Sequence, residues 1–124
     1  VTTLEPMWRH AHGLFARIAL SERFSLLAEA DYILQSRPTH NAYGAAAWSQ
    51  LDFEAIQGLH LMATLEYANR DWGNTNTSFG EWASVAWFFL PHLDMRVDGV
   101  LQQIGVPGMT IGAQSVLVQL HGYL

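Results

Sequence analysis

An all-β fold, an antiparallel up-and-down barrel of seven or eight strands, is what this sequence predicts, and three observations carry the prediction. Apolar and polar residues alternate with a period of two through most of the chain. Seven such segments are separated by compact turn signals rich in Gly, Pro, Asn and Ser. The segments also recur in pairs: Phe24 to Tyr32, Leu59 to Tyr67 and Leu93 to Leu101 read alike, with starts 35 and 34 residues apart. That spacing suits two strands joined by one tight and one longer connection.

Residues 1–12 read as an N-terminal segment or partial strand, and 13–124 as the strands proper. Thr2 to Trp8 would complete an eighth strand, which Pro6 confines to an edge position or breaks. The first clear segment is Gly13 to Ser21. In Phe24 to Ser36, one face reads Phe24, Leu26, Ala28, Ala30, Tyr32 and Leu34, with Glu29 and Asp31 opposite. Leu26, Leu27, Ala30, Ile33 and Leu34 also fit a helical period, so this segment alone leaves both readings open. Asn41 to Phe53 follows, then Leu59 to Asp71, where Leu59, Leu61, Ala63, Leu65 and Tyr67 oppose His60, Thr64, Glu66 and Arg70. Ser78 to Leu90 is apolar on both sides near its end, so Trp87 and Phe88 leave its register open. Leu93 to Ile104 decides for strands: Asp94, Arg96 and Asp98 would spread round a helix but share one face of a strand. Met109 to Leu124 closes the chain with the β-favouring run Val116 to Leu120.

Composition narrows the possible functions. At 124 residues the chain holds one domain. Half the residues are hydrophobic and 14% are charged, against about 25% charged in an ordinary soluble domain. A helical membrane span needs about 20 consecutive apolar residues, and the longest candidate, Ala83 to Leu90, stops at Pro91. There is no cysteine, which removes disulfides, thiolate metal sites and thiol nucleophiles. A net charge of −5 with arginine as the only strong base offers no basic patch for nucleic acid.

A sheet survives in a bilayer only if it closes and pairs every backbone N–H and C=O. Closure gives an apolar outside, with aromatics at the interfaces, and an inside that can carry charge. The alternation fits that division, and each segment is near or above the length that a tilted spanning strand needs. The connections alternate too. They are short at Ser21 to Arg23, Glu54 to Gly58 and Pro91 to His92, and longer at Arg37 to His40, Trp72 to Thr77 and Gly105 to Gly108. Trp48, Trp82, Trp87, Phe88, Phe89, Tyr32, Tyr43 and Tyr67 are the candidates for an interfacial belt.

Over residues 13–124 the sequence resembles the Gram-negative outer-membrane β-barrels. Members typically end in a strand with apolar residues at alternate positions counted from the last residue, and Val116, Val118, Leu120 and Leu124 follow that pattern. Gly122 stands where an aromatic is common, and Leu124 where Phe is usual. The resemblance implies a porin-like transmembrane barrel in the bacterial outer membrane, surrounded by its lipid. It would be assembled through its C-terminal strand by the barrel-assembly machinery, and it would serve as a passive pore for transport or as the membrane scaffold of a complex with other subunits. Since bacterial barrels have even strand numbers, either Thr2 to Trp8 makes the eighth strand or these are the last strands of a larger barrel. Pro6 and the abrupt start at Val1 favour the second. The alternative is a soluble lipocalin-like barrel binding a small apolar ligand, its apolar face turned inward.

The predicted lumen-lining residues are Arg17, Glu29, Asp31, Asp52, His60, Glu66, Arg70, Asp94, Arg96 and Asp98, which would line a hydrophilic pore or pair across strands and fill the interior. No catalytic site is expected. Glu29 with Asp31 and Asp94 with Asp98 are same-face carboxylates, but Arg96 between the latter argues for charge balancing, and no Gly-x-Ser-x-Gly context marks a nucleophile. His10 and His12 lack a third ligand at a recognisable spacing and read as an exposed loop pair, so neither metal nor cofactor is expected. Gly105 to Gly108 is a turn, not a phosphate cradle.

Overall fold

The computed structural model describes residues 7–73, 77–106 and 108–124. It contains seven strands: β1 (Trp8–Ala19), β2 (Phe24–Ser36), β3 (Asn41–Ile56), β4 (Leu59–Asn69), β5 (Ser78–Leu90), β6 (Leu93–Val106) and β7 (Met109–Gly122). Each pairs antiparallel with the next, giving one sheet in the order β1 to β7. Phe24 to Leu34, the stretch open to a helical reading, is a strand, and so is Leu59 to Tyr67.

The sheet is open. β1 and β7 each have one neighbour, and no contact joins them among the described residues. The strands alternate in direction and are odd in number, so the two edges run the same way. Most of the expected eighth strand, residues 1–6, lies outside the described residues, while Trp8 opens β1.

Several strand boundaries differ from the periodicity. β1 starts at Trp8 rather than Gly13, because Trp8 to His12 pair with Ser36 down to Tyr32. His10 and His12 therefore sit in an edge strand opposite Leu34 and Tyr32, and the exposed-loop reading is corrected. β6 runs on to Val106, paired with Met109, so two residues separate β6 from β7 where a longer loop at Gly105 to Gly108 is expected. The connection lengths are thus less one-sided than predicted, since both the β3–β4 and β5–β6 links also have two residues. Gly58 and Gly108 make two of these turns with φ of 84° and 82°, a region that other residues occupy only under strain.

Register decides which side chains share a face, because directly opposed residues lie on the same side and successive residues alternate. The row Ser25, Asp52, Met62, Ser84, Asp98 and Leu117 defines one face, and Leu26, Leu51, Ala63, Ala83, Gly99 and Val116 the other. Pairing settles β5: Trp87 opposes Leu59 and Met95 on the apolar face, and Phe88 opposes Asp94 on the polar one. Its ring meets the His60 ring edge-on at 6.1 Å.

The apolar face carries two aromatic bands. Stacked Phe24 and Phe53 at 4.4 Å, with Trp87 and Phe89, mark the end bearing the β1–β2, β3–β4 and β5–β6 links. Tyr32 with Tyr43, and Tyr67 with Phe79, mark the other end. Trp48 and Trp82, expected in the belt, lie on the polar face instead, because the small Ala47, Ser49 and Ala83 hold the alternate positions.

Candidate functional site

The polar face gathers nearly every strand charge. Arg17, Glu29, Asp31, Asp52, His60, Glu66, Asp94, Arg96 and Asp98 all share it, as the register requires. Arg70 does not belong to the set in the way expected. β4 ends at Asn69, and the Arg70 backbone lies over Gly44, where any Cβ would collide with it. Arg9 and Glu54 also fall on the polar face. Arg9 joins the face because its strand begins earlier than the alternation suggests, whereas Glu54 extends the parity of Asp52.

At the end bearing the β3–β4 and β5–β6 turns, three of the carboxylates have side-chain partners across or along the strands. The Arg96 Nε donates to both Asp98 oxygens at 2.8 and 3.1 Å, and the Ser84 hydroxyl donates to Oδ1 of the same carboxylate. His60 Nδ1 lies 2.8 Å from Asp52, and His121 Nδ1 3.1 Å from Asp94. His121 is partner to Asp94 through the β6–β7 register, which sets the two residues directly opposite each other.

Toward the opposite end the carboxylates stand apart from cations. Glu29 accepts a hydrogen bond from the Trp48 indole at 2.9 Å. Asp31 lies over Gly13, where a Cβ would meet its oxygen, and Glu66 lies over Gly80, with 3.1 Å between its Oε2 and the position of a Cβ. Glycine on the neighbouring strand is thus what gives each acidic side chain its space. Glu29 and Glu66 occupy one cross-strand row on either side of Trp48, roughly 10 Å apart by two interstrand spacings.

Crowding separates the two faces. Asp94 and Asp98 are 4% and 3% exposed, whereas Leu65 and Leu101, on the apolar face of interior strands, are 58% and 50% exposed. Polar groups are therefore the packed side of this sheet and leucines the open side, the reverse of a water-soluble arrangement. Glu81 is the only Asp, Glu or Arg of the strands on the apolar face, opposite Leu65 and Leu101. It borders an open groove of about 1030 Å³, lined chiefly by apolar-face side chains of β1 to β6, among them Ala28, Ala47 and Phe79.

Among the described residues no group of three or more His, Asp or Glu side chains is placed to hold a metal ion. No helix is long and apolar enough to cross a membrane, which says nothing of strands. No family model matches the chain, and neither a curated protein nor a solved structure matches it.

Proposed function

We propose that this sheet is part of the wall of an outer-membrane β-barrel that acts as a passive pore or as the membrane scaffold of a complex. The observation that carries the reading is the inverted exposure: carboxylates packed on one face, leucines and valines open on the other. Water gives no reason for such a distribution, while hydrocarbon does, because it solvates leucine and penalises an unpaired charge. The aromatic bands add a length scale. From Phe53 to Tyr43 is ten residues, about 33 Å along the strand. A tilt of roughly 40° reduces this to about 25 Å, the height of the apolar band in such barrels. Strands of 11 to 16 residues suffice to span it.

Parallel-running edges bear on the number of strands. An all-antiparallel closure between β7 and β1 requires an odd number of further strands, which fits an eight-stranded barrel or a larger even one. The lipid of the outer membrane would contact Leu65, Leu101, Val116, Val118 and Leu120. The last three also form the C-terminal pattern through which the barrel-assembly machinery would recognise β7.

One observation favours a soluble barrel that binds a small apolar ligand: the groove on the apolar face has the volume of a ligand pocket. That reading turns the apolar face inward and leaves Asp94 and Asp98 to face water, against their burial. Extraction separates the two. The membrane reading expects the protein in the membrane fraction, soluble only with detergent, and migrating differently on gels before and after heating. Ready solubility without detergent would overturn it.

A further inference from the structure

We infer that the polar face makes the pore selective for cations, with Asp31 and Glu66, supported by Glu29, setting the preference. This rests on the pore reading above and names what passes through. The inference follows from how charge is distributed over the whole face. The fixed charges on the polar face of the seven strands are Arg9, Arg17 and Arg96 against Glu29, Asp31, Asp52, Glu54, Glu66, Asp94 and Asp98, so carboxylates outnumber guanidiniums. Position matters as much as number. Arg96 is consumed by Asp98, and His60 and His121 face Asp52 and Asp94. Arg9 and Arg17 stand on the edge strand β1. In the half of the face nearer the β2–β3 and β4–β5 loops, Asp31 and Glu66 meet no cation within ion-pair distance among the described residues. Gly13 and Gly80 make room for them, and Trp48 holds Glu29 in the same row as Glu66. The excess of carboxylates gives an aqueous passage along this face a net negative potential, which attracts cations and repels anions.

Two such charges about 8 Å from a passing ion, screened by 0.1 M salt, alter the ratio of cation to anion permeability by roughly fivefold. The test uses the full chain in planar lipid bilayers, with reversal potentials measured in a gradient of KCl. The double variant D31N/E66Q removes both charges with isosteric amides at side chains that make no hydrogen bond among the described residues, and it leaves the Trp48–Glu29 contact intact. The wild type is expected to favour K⁺ over Cl⁻, the variant to lose most of that preference, and E81Q, on the opposite face, to keep it. Raising the salt to 1 M, where screening shortens to about 3 Å, is expected to collapse the wild-type preference without any substitution. Conductance that prefers Cl⁻, or a K⁺ preference unchanged in the double variant and in high salt, overturns the selectivity and leaves the pore standing. Absence of conductance from folded, membrane-inserted protein overturns the pore reading, and the selectivity with it.

Discussion

Replacing Ala83 with arginine tests the orientation of the sheet through a single number. Ala83 is exposed in the middle of an interior strand, on the apolar face, between Ala63 and Gly99. It lies four residues from Phe79 and four from Trp87, members of the two aromatic bands. Four residues are about 13 Å along a strand, and with a tilt of roughly 40° about 10 Å in height, so the proposed spanning sheet would hold Ala83 near mid-membrane. An arginine at that depth costs about 2–4 kcal/mol. In a water-soluble protein the same exposed position would tolerate the change within about 0.5 kcal/mol. The assay is equilibrium unfolding from lipid vesicles in guanidinium, with the free energy extrapolated linearly from matched slopes. A loss of at least 2 kcal/mol is the expected result. A change below about 0.5 kcal/mol, with the slope preserved, would refute the claim that this face meets hydrocarbon.

Further predictions follow from the same geometry. Glu81→Leu removes the lone charge of the apolar face and should raise stability in vesicles by about 1 kcal/mol or more, since an acid there costs less than the 2–4 kcal/mol of a base; a loss of stability would contradict it. Asp98→Ala strips Ser84 and Arg96 of their acceptor and should cost about 1–3 kcal/mol in the same unfolding assay, while an unchanged midpoint would show that the buried carboxylate contributes nothing. Gly58→Ala forces a side chain into the left-handed region at the β3–β4 turn and should cost about 1 kcal/mol, which a neutral result would refute. Gly13→Val should disturb Asp31, which fills the space above that glycine. Refolding yield into vesicles should fall, and D31A should restore it; failure of that rescue would show that the collision is not the cause.

Much of the strand pattern was legible because alternation is a direct record of two different environments. β2 and β5 were bounded correctly at both ends, since Arg23 and Pro91 interrupt the apolar runs where pairing does stop. The charged face was legible wherever acids and leucines alternate strictly, as in β6. Elsewhere the record was ambiguous. Trp87, Phe88 and Phe89 are apolar on both faces, and only cross-strand partners in β4 and β6 assign them. β1 carries histidines and Trp8 on its apolar side, so its first turn of alternation was weak, and its length emerged from pairing with β2. Arg70 lies beyond the last residue for which parity holds. Nor does alternation say which partner neutralises a given charge: Asp94 and His121 are 27 residues apart and meet only through the β6–β7 register. The openness of the sheet has no signature in a period of two, because every strand alternates whether or not the ends meet.

The central claim is that odd-numbered positions of β6 face lipid and even-numbered ones face water. The chain has no cysteine, so single cysteines placed in turn from Leu93 to Gln102 can each carry a nitroxide label in protein folded into vesicles. Collision with oxygen, which concentrates in the bilayer, should peak at 93, 95, 97, 99 and 101. Collision with a water-soluble nickel complex should peak at 94, 96, 98, 100 and 102. Two profiles in the opposite phase, or uniform access to the nickel complex at every position, would contradict the account.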